Sequence, residues 1–327
     1  MKAQAVIFEK QGDPNVLEIQ DVEISSPGDG EALIEQTAIG VNFIDIYHRG
    51  GQYPMQLPSG VGSEAAGVVL EIGAGVTDVS VGERVVYAGG SPGSYATHRL
   101  FPANRLVKIP DGISDEVAAS VLLKGMTVEY LMNRTYPVKA GEKVLFHAAS
   151  GGVGQLAGQW GKHIGAVMIG VAGGADKCAL ALNNGYTHTI DRKTDDIAAR
   201  VKEITGGVGV PVVYDPIGAD TFEASLNSLA PRGFFVSFGS VTGEAPPVAP
   251  STLQKAGSIY FTRPTLVTYA ASRADLDMSA NLVFKHILNG ALQVNINQRY
   301  PLDQVVKAHR DLEMGLTTGS SVLLPKL

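Results

Sequence analysis

The sequence predicts an α/β protein in which a doubly wound parallel-sheet domain is inserted into a β-rich one. Three observations lead there. Residues 143 to about 264 alternate strand-like and helical runs, the pattern of parallel strands joined by helical crossovers. Residues up to about 113 read instead as short strands between repeated glycine turns, which suits a compact barrel-like domain. The tail returns to a mixed pattern. The β-rich domain is therefore expected from both chain ends, residues 1–124 and 265–327, around an insert at 125–264.

The first elements are short. Ala3–Phe8 and Val16–Val22 are strand candidates, and Pro27-Gly28-Asp29-Gly30 is a turn before Glu31–Gln36. Asn42–Tyr47 opens a short helix that Gly50-Gly51 stops. Further strands follow from Gly62 to Val69 and from Gly82 to Val86, with glycines between them. Ser114 is an N-cap for a helix from Asp115 to Leu123, and Thr127–Arg134 reads as a second helix. Strands are then expected at 143–148, 167–171, 188–190, 211–215, 234–238 and 258–262. Leu276–Asn289 and Leu302–Met314 are helical, the latter with Leu302, Val305, Val306 and Leu312 on one side. Ser321–Leu324 is a last strand.

The stretch from Val144 to Gly154 carries the first chemical signal. An apolar run enters a turn spaced Ala149-x-Gly151-x-x-Gly154, a helical run follows, and Val167–Val171 supplies a second strand. A glycine-rich turn in that βαβ setting points to dinucleotide binding. Gly151 lets the backbone approach a pyrophosphate, and Gly154 lets the helix lie close to the sheet. The helix N-terminus offers unpaired N–H groups and a positive dipole end to phosphate. The alternative is an ordinary tight turn between strand and helix.

The end of the second strand selects the cofactor. A site selective for NAD places Asp or Glu there, on the ribose 2′-hydroxyl. Here the strand runs out through Val171-Ala172-Gly173-Gly174, with no carboxylate before Asp176. Lys177 follows, and Arg192 lies after the third strand. A neutral strand end with two cations nearby suits the 2′-phosphate of NADPH, which arginine can grip through paired donors. The alternative for both is a solvated surface charge.

Composition excludes other classes. The 327 residues are 45% hydrophobic and 18% charged, with a net charge of -6 and no cluster of Lys or Arg, which argues against nucleic-acid binding. The single cysteine, Cys178, rules out an internal disulfide and any multi-cysteine zinc site. No apolar run reaches membrane-spanning length and no signal peptide is visible, so a cytoplasmic protein is expected.

The motifs together are similar to a known family. Val41–Tyr47, Gly60-Val61-Gly62-Ser63-Glu64-Ala65-Ala66-Gly67, Lys124-Gly125-Met126-Thr127-Val128, His147–Gly154, Val236–Gly239, Thr262–Leu266 and Gly319-Ser320-Ser321 occur in order along nearly the whole chain. The sequence resembles the medium-chain dehydrogenase/reductase superfamily, and within it the NADPH quinone oxidoreductases related to zeta-crystallin. That resemblance implies a GroES-like catalytic domain around a Rossmann domain. It implies that Asn42, Phe43, Asp45, Tyr47, Thr127 and Tyr130 line the nicotinamide side, with Gly152 and Val153 at the pyrophosphate and Gly173, Gly174 and Lys177 around the adenosine phosphate. Phe238, Gly239, Ser240, Pro264, Thr265 and Leu266 would meet the nicotinamide end. Two departures stand out: relatives often carry tyrosine where this chain has Arg192, and Gly315 stands where a C-terminal arginine is expected.

The zinc ligands of related alcohol dehydrogenases correspond here to Asn42 and Ser63, so no catalytic zinc is expected. Without a Lewis acid, acceptors that take hydride readily, quinones or activated enones, are favoured. Tyr47, Asn42 and Asp45 are the candidate catalytic residues. Tyr47 and Tyr53 can equally be packed aromatics, and Asp45 an Asx-type hydrogen-bonding residue of the turn. His147, closing a buried strand, reads as a satisfied core residue, and no nucleophile–base arrangement stands out. An alkenal or enone double-bond reductase is the alternative activity, and an NADPH-binding structural or RNA-binding protein the alternative of another class. A homodimer is expected through the edge strand near 258–263, with Ile259 and Phe261 on one side and Tyr260 on the other.

Overall fold

The computed structural model describes residues 1–327. It divides into two compact units: Met1–Gly125 with Ala270–Leu288 and Val294–Leu327, and Met126–Tyr269 with Asn289–Gln293. In chain order the first unit contains β1 (Lys2–Phe8), β2 (Glu18–Glu23), β3 (Glu31–Val41), α1 (Phe43–Gly50), β4 (Ser59–Gly60), β5 (Glu64–Ile72), β6 (Arg84–Ala88), β7 (His98–Pro102) and β8 (Val107–Lys108). Helix α2 (Asp115–Glu129) carries the chain onward. There follow β9 (Lys143–His147), α3 (Gly152–Ile164), β10 (Val167–Ala172), α4 (Ala175–Asn183), β11 (His188–Asp191), α5 (Ile197–Ile204) and β12 (Val210–Asp215). Next come α6 (Phe222–Ser228), β13 (Leu229–Ser237), α7 (Pro250–Lys255), β14 (Tyr260–Thr262) and α8 (Leu266–Tyr269). The chain ends with α9 (Arg273–Leu288), β15 (Ile296–Pro301), α10 (Val305–Glu313) and β16 (Ser320–Leu324).

The first unit is organised around β3. This eleven-residue strand pairs antiparallel with β5, β7 and β16. Its interior face, including Ala32, Ile34, Ile39 and Val41, packs with Val6, Phe8, Val69, Tyr87, Phe101 and Leu323 in one buried cluster. The strand runs five residues past the expected end at Gln36, through Gly40 to Val41. A Cβ at Gly40 would lie 2.2 Å from the Ala119 carbonyl oxygen and 2.4 Å from Glu64 Oε2. Glycine here marks close approach by neighbouring groups rather than a turn.

In the second unit six parallel strands lie in the order β11-β10-β9-β12-β13-β14. The chain starts at β9 in the middle, moves outward to β11, and returns to build the other half from β12. Ligands of such sheets bind outside the carboxyl ends of the strands, where the order reverses, here between β9 and β12. Leu145, Ile169, Val171, Ile190, Val213 and Phe235 form the core beneath. The α/β fold with its parallel Rossmann sheet is as the sequence predicts.

Several expectations need correction. The helix at 115–123 does not stop before Gly125. It continues as α2 to Glu129, and Tyr130–Thr135 closes it as a π-helical turn. Tertiary packing overrides the glycine break, because a Cβ at Gly125 would sit 2.7 Å from the Val283 side chain. Residues 265–269 and 289–293 belong to the second unit rather than to the β-rich one. Ile259 precedes β14 and is 5% exposed within the core, so it is not part of the sheet's outer edge. Strand β15 (Ile296–Pro301), with Asn297, Gln298 and Arg299 in its middle, gave no sequence signal.

Candidate functional site

In the second unit, β9 ends at His147 and the chain turns sharply. Ala148, one residue before the Ala149 that stands at the first glycine position, takes a positive φ of 53°. The Gly151 N–H returns to the Ala148 carbonyl, and α3 begins at Gly152 with no side chain capping it. The N–H groups of the first helical turn therefore remain available to an anion. A Cβ at Gly154 would lie 2.3 Å from the Ala148 oxygen, which is how tightly the helix is drawn onto the strand.

The end of β10 is buried and uncharged at Ala172. The Arg192 guanidinium lies over Gly173, with Nε 3.2 Å from where a Cβ would stand, and Lys193 Nζ is 3.6 Å from that position at Gly174. Asp191 organises the pair. Its Oδ1 accepts the Gly174 N–H (2.8 Å) and the Lys193 N–H (3.0 Å), and these bonds hold its carboxyl below the usual range. Lys177 is half-buried in the first turn of α4. Lys193 escaped the sequence reading, although its place directly after Arg192 was a usable signal.

At the reversal point itself, a buried polar chain ties the two halves of the sheet. The Ser225 hydroxyl donates to Asp215 Oδ2 (2.6 Å), and His147 Nε2 lies 2.9 Å from the Ser225 hydroxyl oxygen. Because the serine proton goes to the carboxylate, His147 Nε2–H is the donor and Nδ1 is the bare nitrogen. Nδ1 has no partner within the chain. Burial pushes the imidazole below its ordinary value, so it is neutral. Thr221 Oγ1 (2.7 Å) and the N–H groups of Ile217 (2.8 Å) and Gly218 (3.3 Å) complete the Asp215 shell. Serine, histidine and aspartate are thus aligned, a grouping the sequence did not reveal. The order is wrong for a nucleophile, since the carboxylate, not the histidine, takes the serine proton. Phe238 donates its N–H to the Asp215 carbonyl (2.9 Å) and packs on Phe146. A Cβ at Gly239 would be 2.3 Å from the Pro216 oxygen, and Ser240 is buried. Thr127 and Tyr130 are buried, and Tyr130 stacks on Tyr269 of α8, the helix that Leu266 begins; Pro264 is buried and Thr265 exposed.

In the first unit, Asn42 is the N-cap of α1, and Asp45 Oδ2 accepts its backbone N–H at 2.9 Å. This is half of a capping box. The return half is not made as a hydrogen bond: the Asp45 N–H goes to the Asn42 carbonyl oxygen, and Asn42 Oδ1 has no partner within the chain. The other end of that amide, Nδ2, donates to Glu64 Oε2 at 2.9 Å. Glu64 Oε1 accepts the Leu123 N–H, and Lys124 Nζ lies 4.0 Å from Oε2. Burial pushes the Glu64 carboxyl up to about 7, against the pull of Lys124 and its hydrogen bonds. Asp45 is fully buried and pushed up to about 6, although Asn42, Ser63 and Tyr95 donate to it and Lys124 is near. The sequence reading of Asp45 as a structural hydrogen-bonding residue describes these contacts. Phe43 and Tyr53 flank the Tyr47 ring, which is 6% exposed. No three His, Cys, Asp or Glu side chains are placed to hold a metal ion.

Two family models match, the alcohol dehydrogenase GroES-like domain over residues 28–111 and the zinc-binding dehydrogenase over 152–281. A quinone oxidoreductase of Pseudomonas aeruginosa is 45% identical over 99% of this chain and its own full length. The chain belongs to the quinone oxidoreductase family. A 2-haloacrylate reductase of a Burkholderia species is 42% identical over 98% of this chain and 99% of its own. The crystal structure of Escherichia coli quinone oxidoreductase complexed with NADPH matches with a TM-score of 0.97 and 44% identity, covering 98% of this chain and all of that one. The family relationship accounts for the two-unit architecture, a GroES-like portion together with a parallel nucleotide-binding sheet.

Proposed function

We propose that the chain is a zinc-independent, NADPH-dependent quinone reductase. One observation carries the cofactor choice. Where a site selective for NAD needs a carboxylate, this chain has Ala172, with Arg192 over Gly173 and Lys193 by Gly174. The uncapped start of α3 and the tight approach at Gly154 suit a pyrophosphate. Bound NADPH would supply a hydride from its nicotinamide ring. The residues proposed to hold it are Gly151–Gly154 at the pyrophosphate, and Gly173, Gly174, Lys177, Arg192 and Lys193 at the adenosine phosphate. Phe238–Ser240, Pro264–Leu266, Thr127, Tyr130, Asn42, Phe43, Asp45 and Tyr47 are assigned to the nicotinamide side.

Asn42 and Ser63 stand where zinc relatives have ligands, so polarisation of the acceptor falls to hydrogen bonds and dipoles. A second reading, reduction of an activated carbon–carbon double bond, is favoured by the likeness to the 2-haloacrylate reductase. NADPH oxidation with a panel of quinones, enones and 2-haloacrylates, before and after chelator treatment, tests both. Turnover with quinones that survives chelation is expected. Turnover confined to the double-bond substrates would replace the first reading by the second. We further read the protein as a cytoplasmic homodimer joined at the edge of the parallel sheet.

A further inference from the structure

A continuous line of buried side chains leads from Asp45 to Arg49, the partner of Glu313. Tyr95 Oη lies 3.0 Å from Asp45 Oδ2, His309 Nε2 lies 3.1 Å from Tyr95 Oη, and Arg49 Nη1 lies 3.1 Å from His309 Nδ1. Arg49 also donates to the Gly12 carbonyl and pairs with Glu313, whose side chain is 30% exposed. Tyr95, His309, Arg49 and Asp45 are all at least 98% buried.

Donor and acceptor chemistry fixes the direction of this line. Arginine has only donors, so His309 Nδ1 must accept. The imidazole proton is then on Nε2 and points at Tyr95. The phenol, already accepting, gives its own proton to Asp45. Ser63 Oγ adds a bond to Asp45 Oδ1 at 2.9 Å, and the Asn42 N–H one to Oδ2 at 2.9 Å. From Arg49 Nη1 through His309 and Tyr95, each donor along the line points toward the Asp45 carboxylate. Such a line cannot pass protons inward from the surface, because arginine does not release one. It can only stabilise a negative charge, by carrying the field of the Arg49 guanidinium inward through polarised neutral groups. His309 is suited to remain neutral, held down to about 3 by burial and by Arg49.

We propose that Tyr95 and His309 are positioning residues of the reaction: they keep Asp45 ionised, and the ionised carboxylate fixes Asn42 and the start of α1. This rests on the reading that Asn42 and Tyr47 face the nicotinamide. Protonation of Asp45 would take one acceptor away from three converging donors, and the N-cap of α1 would loosen. The charged and titratable groups around Asp45 are Tyr95, Lys124 of α2, Glu64 of β5, Arg49 of α1 and His309 of α10. Burial pushes the Asp45 carboxyl up to about 6 and that of Glu64 up to about 7.

The test compares Tyr95→Phe, His309→Leu and His309→Gln with the unaltered full chain. Glutamine can accept from Arg49 and donate to Tyr95, so it keeps the direction of the line. The first readout is the pH profile of kcat/KM for NADPH oxidation with a quinone. The second is the urea midpoint of the protein without cofactor against pH. A carboxyl whose folded pKa is raised contributes stability below its unfolded value and loses it as pH rises through the folded one. Removing a hydrogen bond to the charge should move both the acid limb and that loss upward by on the order of one pH unit in Tyr95→Phe and His309→Leu. His309→Gln should stay near the unaltered profile. If His309→Leu does not fold, Tyr95→Phe against His309→Gln makes the same comparison. Unmoved profiles in folded Tyr95→Phe, or a His309→Gln profile shifted as far as that of Tyr95→Phe, overturn the proposal. Absence of any NADPH oxidation would instead count against the functional reading, while the urea midpoints still decide whether the line holds Asp45 ionised.

Discussion

In the proposed NADPH site, Arg192 and Lys193 would carry cofactor choice because of what anchors them. Asp191 turns its carboxylate back onto the Gly174 and Lys193 N–H groups, so the loop after β11 is pinned against the loop after β10. Both cations are exposed, and their charge is cheap to maintain without a ligand. A phosphate brought beside Gly173 would gain charge-assisted hydrogen bonds, each worth about 1.5–3 kcal/mol. Arg192→Ala together with Lys193→Ala should therefore weaken NADPH about tenfold or more while leaving NADH within about twofold. Fluorescence titration of both cofactors checks this, and equal weakening of the two would place the cations elsewhere on the cofactor. At this scale the sequence was legible where chemistry is local. The missing carboxylate at Ala172, the cation at Arg192 and the Asx-like Asp45 could each be read from neighbours. The partners of Asp45 could not, since Ser63, Tyr95 and, through Tyr95, His309 come from distant parts of the chain. A single buried histidine in a short amphipathic helix carries no local sign of what it will meet.

Among the elements, α6 shows how a sheet with two halves is fastened at its reversal point. Its Ser225 bridges β9 and β12 by bonding both His147 and Asp215. Ser228, one turn on, is equally buried but bonds only the Ala224 carbonyl of its own helix. The two serines should respond differently to truncation. Ser225→Ala strands the His147 Nε2–H and removes a donor from a buried carboxylate, at a cost of about 1–3 kcal/mol. Ser228→Ala loses only a local back-bond and should change stability by under about 1 kcal/mol. Differential scanning calorimetry would show a fall of several degrees for the first and a much smaller one for the second. Similar falls would mean that the bridge does not fasten the sheet. The strands and helices of this unit were legible because βα alternation repeats itself. The extent of α2 was not, because Gly125 reads as a break until Val283 is seen to fill the space a side chain would need. Strand β15 was hidden for the opposite reason: its polar middle residues make it look like a loop, and only pairing with β16 reveals it.

For the molecule as a whole, the open question of assembly turns on β14. It is the last strand of the six, and the only strand it pairs with is β13, so its outer side has backbone N–H and C=O groups with no strand beside them. Such edges are usually protected by charge or proline within the strand. Here the strand is Tyr260-Phe261-Thr262, and the charge comes only afterwards, at Arg263. Tyr260 is 56% exposed and stacks on Phe234, whereas Phe261 packs inward on Phe222 and Phe235. The face available to a second copy is therefore that of Tyr260. Ile259, which the sequence placed on the edge, lies in the core, and Ile259→Lys would unfold the unit rather than separate two subunits. Two-fold pairing of β14 with its own copy would satisfy the edge and cover Tyr260. Multi-angle light scattering at micromolar protein should then give twice the chain mass of 34.3 kDa. Tyr260→Asp would place like charges close to the two-fold axis, and Thr262→Pro would remove an N–H and wedge the strands apart. Each should return the mass toward 34.3 kDa with the circular dichroism unchanged. A monomer in the unaltered protein would remove the dimer altogether. A dimer that withstands both substitutions would leave the parallel-sheet edge open and move the interface to another surface.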